Sequence, residues 1–275
     1  MNTEEAIKQL RSDPGCADLI RDSYLGEDLL EAAGRFEASE EFREVRRLIG
    51  AQLHNGRVLD LGAGNGIASR AFARSGAELV YALEPDPSDE IGRGAIHSLT
   101  VDHNVELIEA YGEEIPLPDA EVDIVYTRQV LHHTNDLPQV LRECSRVLKP
   151  GGAFLACREH VVDDERQLRA FLEDHPVHGL TGGENAFRLD EYISAIRSSG
   201  LVLEKVFGPW DTVINAFPTV RTSGDLEAYP RIVLERRFGW FGTLAALVPG
   251  ATPLVWRRLK RPTPGRLYSF LATKP

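Results

Sequence analysis

The sequence predicts an α/β fold: a doubly wound, mostly parallel sheet with helices on both faces and an antiparallel last strand. Three observations carry this. Short apolar runs alternate with helix-forming segments from Arg57 to Cys157, the rhythm of a parallel sheet. The first run leads directly into Gly62-Ala63-Gly64-Asn65-Gly66, a tight strand-to-helix turn. After the fifth run the rhythm breaks, and the last apolar run stands alone near the C-terminus, behind an insertion over 208–265.

Phe36, Phe42, Val45, Leu48 and Ile49 recur at helical spacing, so residues 1–50 are read as N-terminal helices. Residues 57–61 form a buried strand, 67–74 a helix that Gly76 stops, and 79–83 a strand ending at Glu84-Pro85-Asp86. A helix over 88–98 and strands over 105–109 and 123–127 come next. The helix over 137–148 closes at Lys149-Pro150-Gly151-Gly152 before a fifth strand, 153–157. Residues 164–173 are helical and 175–188 form a Gly- and His-rich loop. Asp190 caps a helix reaching Ser198, and 201–207 is a sixth strand. Seven prolines between 208 and 265 predict an irregular insertion before the final strand, 266–272. The whole is read as one domain, 1–275.

Composition narrows the function. A formal net charge of −11 argues against a nucleic-acid backbone as partner. The charge is uneven: Arg231 to Arg261 holds seven Lys or Arg and one acid, Glu235. Three cysteines without regular spacing exclude a disulfide framework, with Cys144 and Cys157 read as core residues. The N-terminus has no secretory pattern, so a cytoplasmic location is expected. Phe238 to Trp256 lacks charge, but its glycines and prolines argue against a membrane span.

The strongest chemical signal is Val58-Leu59-Asp60-Leu61-Gly62-Ala63-Gly64-Asn65-Gly66. Its glycines let a ligand lie against backbone at a helix N-terminus. Glu84, eighteen residues beyond Gly66, closes the second strand, where a carboxylate accepts both hydroxyls of a ribose. A dinucleotide cofactor prefers G-x-G-x-x-G, whereas the spacing here is G-x-G-x-G. Asp60 would repel a pyrophosphate but attract a cationic ligand. S-adenosylmethionine (SAM) carries an ammonium, a sulfonium and no phosphate, so the electrostatics favour SAM. A nucleotide-dependent oxidoreductase is the rival enzyme class, and a SAM-binding regulator or pseudoenzyme the non-catalytic one.

Residues 57–66, 117–125, Val130-Leu131-His132-His133 and Val147-Leu148-Lys149-Pro150-Gly151-Gly152 resemble, in order, the motifs of class I SAM-dependent methyltransferases. The similarity is to the group that includes the ubiquinone and menaquinone biosynthesis enzymes, and it covers about 40–160 plus the terminal strand. The resemblance implies a Rossmann-like fold. It also implies that Gly62, Gly64 and Gly66 line the methionine and ribose portion. Asp60 would hold the amino group, Glu84 the ribose hydroxyls, and Pro85 and Asp86 would border the adenine. Tyr111 stands where many relatives have an Asp that contacts the adenine amino group, so Glu113 or a backbone carbonyl is the replacement candidate. Arg128, after the fourth strand, completes the expected cofactor set.

Methyl transfer to a hydroxyl requires loss of a proton, and histidine is the usual base near neutral pH. His132 and His133 are candidates because they follow the fourth strand, at the sheet's carboxyl edge, with His133 the one carried into the catalytic set. The segment 175–188 adds His178 and Glu184 on a glycine-hinged loop. A metal bound by His175, His178 and Glu184 is not favoured, because the spacing matches no standard set. The insertion carries Trp210, Phe217, Tyr229, Phe238, Trp240, Phe241 and Trp256 beside the basic cluster. It is read first as a cap over the acceptor, second as a subunit interface of a homodimer or a small auxiliary core, and third as a membrane-resting surface. The expected reaction is O-methylation of a small molecule, with anionic, glycosylated or lipid-linked acceptors all compatible with the aromatic and arginine side chains.

Overall fold

The computed structural model describes residues 3–174, 178–181, 185–248 and 250–275. The chain opens with α1 (Thr3–Ser12), α2 (Ala17–Asp22), α3 (Leu29–Glu37) and α4 (Glu40–Ile49). Local chemistry sets two of these starts. Asp28 accepts from the N–H of Glu31 and Ser39 from that of Phe42, each satisfying a donor that a helix leaves unpaired.

The sheet region runs β1 (Arg57–Leu61), α5 (Ile67–Arg74), β2 (Leu79–Leu83), α6 (Arg93–Thr100), β3 (Val105–Ile108), β4 (Val122–Arg128), α7 (Leu137–Val147) and β5 (Leu148–Val162). It continues through α8 (Glu165–Asp174), α9 (His178–Thr181), β6 (Phe187–Arg188), α10 (Leu189–Ser198) and β7 (Val202–Phe207). Then come α11 (Val213–Ala216), α12 (Ser223–Phe238), α13 (Trp240–Ala246), α14 (Ala251–Leu259) and β8 (Arg266–Thr273). Among the described residues the strand order is β3-β2-β1-β4-β5-β8-β7, with β6 beside β5. β8 is antiparallel to both β5 and β7, and the other pairings are parallel. The order reverses between β1 and β4, the switch point where doubly wound sheets open a crevice. None of the described helices is long and apolar enough to cross a membrane.

Alternation along the strands divides the core. Leu59 and Leu61 of β1 and Val125 of β4 join Val140, Leu141 and Ile196 on one face. Val58, Ile124 and Tyr126 join α3, α4 and α5 on the other. There a run of edge-on and tilted rings ties the N-terminal helices to the sheet. Tyr24 meets Phe36 at 5.3 Å, Phe36 meets Phe42 at 5.3 Å, Phe42 meets Phe72 at 5.4 Å and Phe72 meets Tyr126 at 5.0 Å. Each such pair adds about 0.5–1.5 kcal/mol beyond its buried area.

Several elements differ from the sequence reading. α6 begins at Arg93 instead of 88, because Ser88 Oγ accepts from the N–H groups of Glu90 and Ile91 and holds a turn there. α10 is entered at Arg188, whose N–H the Glu191 carboxylate accepts at 2.8 Å. Asp190 is therefore inside the first turn and not its cap, where its charge suits the helix N-terminus. The loop expected over 175–188 contains α9 and β6. The insertion is helical, with Pro230 inside α12. Trp210 stacks on Tyr229 at 4.9 Å and donates from Nε1 to the Leu259 carbonyl at 3.0 Å, tying α12 and α14 to the end of β7.

The most consequential difference is in β5, which continues past Cys157 to Val162. Its register with β8 pairs Ala156 with Phe270 and then Glu159 with Tyr268, so β5 spends three residues where β8 spends two. Arg158 takes φ +62° in this bulge. One extra residue reverses the facing of the rest of the strand, so Glu159 shares the face of Phe154 and Ala156.

Candidate active site

A cavity of about 790 Å³ opens at the carboxyl ends of β1, β2, β4 and β5. Its floor is the turn after β1. Gly62 has φ +66° and Gly64 φ +56°, a region that favours glycine. A Cβ on Gly62 would sit 2.6 Å from Val130 Cγ2, so a side chain there would displace the loop after β4. A Cβ on Gly64 would meet nothing closer than the Ile91 carbonyl at 4.0 Å, and this backbone faces the cavity. Gly66 is the N-cap of α5 and leaves the wall to Asn65, Ile67 and Ala68.

Two carboxylates meet this turn. Glu84 Oε2 accepts from Gly64 N–H at 2.8 Å, and Oε1 accepts from Asp86 N–H at 2.9 Å. A carboxylate has about four acceptor positions, so both oxygens can still accept from ligand hydroxyls. Burial raises the Glu84 pKa against these amide bonds. Asp60, at 2% exposure, accepts from Ser69 Oγ at 2.6 Å. Burial pushes its pKa up to about 7, the Ser69 hydroxyl opposes this, and Glu84 adds to it. A buried carboxylate so destabilised is matched to a cationic ligand and mismatched to a pyrophosphate. The donor set, the open approach at Gly64 and the charge of Asp60 therefore fit SAM.

Pro85 and Asp86 line the cavity beside Glu84. Arg128 also lines it, but its guanidinium is engaged. Nε donates to Glu41 Oε1 at 2.8 Å, Nη2 to Oε2 at 3.4 Å, and the group lies 5.5 Å from the Tyr24 ring centroid. It pins α4 and the N-terminal segment to β4. Glu113 lies outside the cavity wall: its Oε1 accepts from the N–H groups of Asn135 and Asp136, where the chain enters α7. Tyr111 is exposed and also outside. His178 sits on α9 and does not line the cavity, while Glu184 and His175 fall outside the described residues.

One acid–base pair at the cavity, His132 with Glu159, was not assembled by the sequence reading. His132 Nδ1 is 2.7 Å from Glu159 Oε2, with both side chains almost wholly buried. Glu159 also accepts from the N–H groups of Val130 and His132 at 3.2 Å each, so one carboxylate fixes the loop after β4 and the ring together. Burial raises the Glu159 pKa, and these backbone bonds oppose it. Nδ1–H donating to Glu159 makes Nε2 the basic nitrogen of the ring. The rings of His133 and His160 lie 4.2 and 4.7 Å from that of His132, and all three histidines line the cavity. The bulge in β5 places Glu159 under this loop, a displacement that no apolar pattern announces.

The cover of the cavity also differs from the expected cap. Of 208–265, Pro218 lines it among the described residues. The cover comes from the N-terminal helices: Ile7 and Leu10 of α1, Ile20 of α2, and Leu25. Ile7, Leu10 and Ile20 form their own small cluster. Asn65 Nδ2 donates to the Tyr24 carbonyl at 2.9 Å, tying this cover to the glycine turn. Arg11 Nε donates to the Leu25 carbonyl at 2.7 Å and its guanidinium pairs with Glu90.

The chain is similar to known proteins. A family model described as a methyltransferase domain matches residues 59–156, from β1 into β5. The ubiquinone biosynthesis O-methyltransferase of Xylella fastidiosa (strain 9a5c) is 33% identical over 175 residues, 58% of this chain and 67% of that protein. The sarcosine/dimethylglycine N-methyltransferase of Halorhodospira halochloris is 36% identical over 108 residues, so this chain spans about 39% of that relative's length. An S-adenosylmethionine dependent methyltransferase structure from Mesorhizobium loti superposes with a TM-score of 0.60 at 18% identity, over 87% of this chain and all of that one, a likeness of fold. With the glycine turn, Asp60 and Glu84 converging at the sheet's switch point, and a ubiquinone O-methyltransferase matched over two thirds of its length, this chain belongs to the class I SAM-dependent methyltransferase family.

Proposed function

We propose that this protein transfers a methyl group from SAM to an oxygen of a small-molecule acceptor, with His132 as the general base. The observation that carries this reading is the buried His132–Glu159 pair at the cavity wall, 2.7 Å between Nδ1 and Oε2. SAM supplies an electrophilic methyl group on a sulfonium. The relatives' names include N-, C- and O-methyltransferases, so the atom is argued from the base. A neutral amine presents its lone pair directly, whereas a hydroxyl must lose a proton as it attacks. A positioned imidazole serves the second case.

In this reading Asp60 pairs with the ammonium of SAM, and Glu84 accepts from the ribose hydroxyls. Gly62 and Gly64 allow close backbone approach, and Pro85 and Asp86 border the adenine. His132 Nε2 takes the hydroxyl proton while Glu159 stabilises the imidazolium that results. Ile7, Leu10, Ile20 and Leu25 exclude water and favour an acceptor with an apolar body.

The test is turnover with carbon-13 labelled SAM against phenolic, glycosylated and phosphorylated hydroxyl compounds, reading the methylated atom by NMR. An O-methyl product is expected. His132→Ala should lower kcat by about 10²–10⁴-fold, the usual weight of a general base, while changing S-adenosylhomocysteine affinity less than about threefold. An N- or C-methyl product formed at full rate by His132→Ala contradicts the reading.

A further inference from the structure

The helices α12 to α14 carry a surface that the active site does not use. Their inner side is satisfied by Trp210, Tyr229 and Trp256, with Trp256 6.3 Å from Trp210. Their outer side is not. Phe238, Trp240, Phe241, Leu244, Leu247 and Leu254 are 51–76% exposed, and the rings of Trp240 and Phe241 stack at 3.8 Å. So many large apolar side chains exposed along three consecutive helices mark an interaction surface.

The charge around them selects the partner. Arg236, Arg237, Arg257, Arg258 and Arg261 are all exposed, and no acid occurs between Arg236 and Arg261 in a chain of net charge −11. Among the described residues none of the five pairs with a carboxylate. Glu235 pairs with Arg231 and Asp211 with Lys260, each at 2.7 Å, while the other acids of α12, Asp225 and Glu227, lie in its first turns, away from the arginines of its last turn. A symmetric contact with a second copy would bring these arginines against themselves. The helices are too short to cross a bilayer.

We propose that α12–α14 dock this protein on an anionic lipid bilayer. The apolar side chains enter the headgroup boundary and the arginines meet lipid phosphates. Aromatic rings suit that boundary, and each arginine near an anionic surface tightens binding by about fivefold. This inference is independent of the acceptor and of the methylated atom.

The experiment is co-sedimentation of the full chain with vesicles of phosphatidylcholine alone, and of phosphatidylcholine and phosphatidylglycerol in equal parts. Binding to the anionic vesicles at least about tenfold tighter is expected. Arg257→Gln with Arg258→Gln should weaken it by up to about thirtyfold, and Leu247→Glu with Trp240→Ser should abolish it. Because these positions are exposed, the variants should keep the parent Tm. In the unaltered chain, bromine-labelled lipids should quench Trp240 emission, a signal lost in Trp240→Phe. Absence of sedimentation with either vesicle overturns the proposal. So does equal binding by Leu247→Glu with Trp240→Ser, or a solution dimer that Leu247→Glu dissociates without any vesicle binding by the parent chain.

Discussion

Glu84 Oε2 accepts the backbone N–H of Gly64 at 2.8 Å, so the acid that ends β2 and the glycine turn beyond β1 form one unit. The ligand surface and its scaffold share a hydrogen bond. Glu84→Ala releases the turn and, in the proposed reading, removes the ribose acceptor. It should weaken S-adenosylhomocysteine binding by about 100-fold, the value of one or two lost bonds to a charged group, and lower Tm by several degrees. Titration calorimetry and thermal unfolding check this.

Asp60 makes a prediction with a definite sign. Its pKa is raised to about 7 by burial, above the ordinary carboxylate value near 3.9 in an unfolded chain. The native state therefore holds a proton that the unfolded state has lost, and stability without ligand should fall as pH rises from about 4 to 7. Asp60→Asn should raise Tm at pH 8 and leave it little changed at pH 4. The same group must ionise to pair with an ammonium. Affinity for S-adenosylhomocysteine should fall by up to about tenfold per pH unit below 7, and this dependence should vanish in Asp60→Asn. Calorimetry across pH 5.5–8 reads both.

In the proposed reading Glu159 acts through His132 as a positioning residue. Glu159→Gln keeps the size but can present an amide N–H where Nδ1–H needs an acceptor, which favours the wrong ring tautomer. A loss of about 10²-fold or more in kcat is expected, with KM changed little and the acidic limb of the kcat profile displaced. A variant with normal kcat and pH profile would assign Glu159 to loop folding alone.

The N-terminal cover is testable by its edge. Leu10 is buried, packs with Ile7 and Ile20, and lines the cavity. Leu10→Ala should loosen the cover without unfolding the sheet. S-adenosylhomocysteine should leave about tenfold faster, reflecting a loss on the order of 1–2 kcal/mol, measured by stopped-flow fluorescence.

The regular part of the fold was legible because its signals are local. Residues 57–61, 67–74 and 79–83 fall where apolar runs, Gly-rich turns and the Gly76 stop put them. Asp60, Gly62, Gly64 and Glu84 were legible because the turn motif and the acid ending β2 sit at fixed places in this topology. The His132–Glu159 pair was not, since it depends on one extra residue in β5 that changes which way Glu159 faces. Arg158-Glu159-His160 reads as a polar exit from a strand, yet Arg158 and Glu159 are buried. Arg128 and Glu113 have the right residue types near the right motif, but Glu41 and the N–H groups entering α7 occupy them. The helices of the insertion were hidden by its prolines, although Pro253 falls in the first turn of α14 and Pro230 lies inside α12.

The most direct test of the cofactor site is calorimetric titration of the purified protein with S-adenosylhomocysteine beside an NADH control. The site geometry predicts micromolar binding of S-adenosylhomocysteine, weakened in Asp60→Asn and Glu84→Ala, and none of NADH. Binding of NADH alone, or S-adenosylhomocysteine binding that neither substitution weakens, would contradict it.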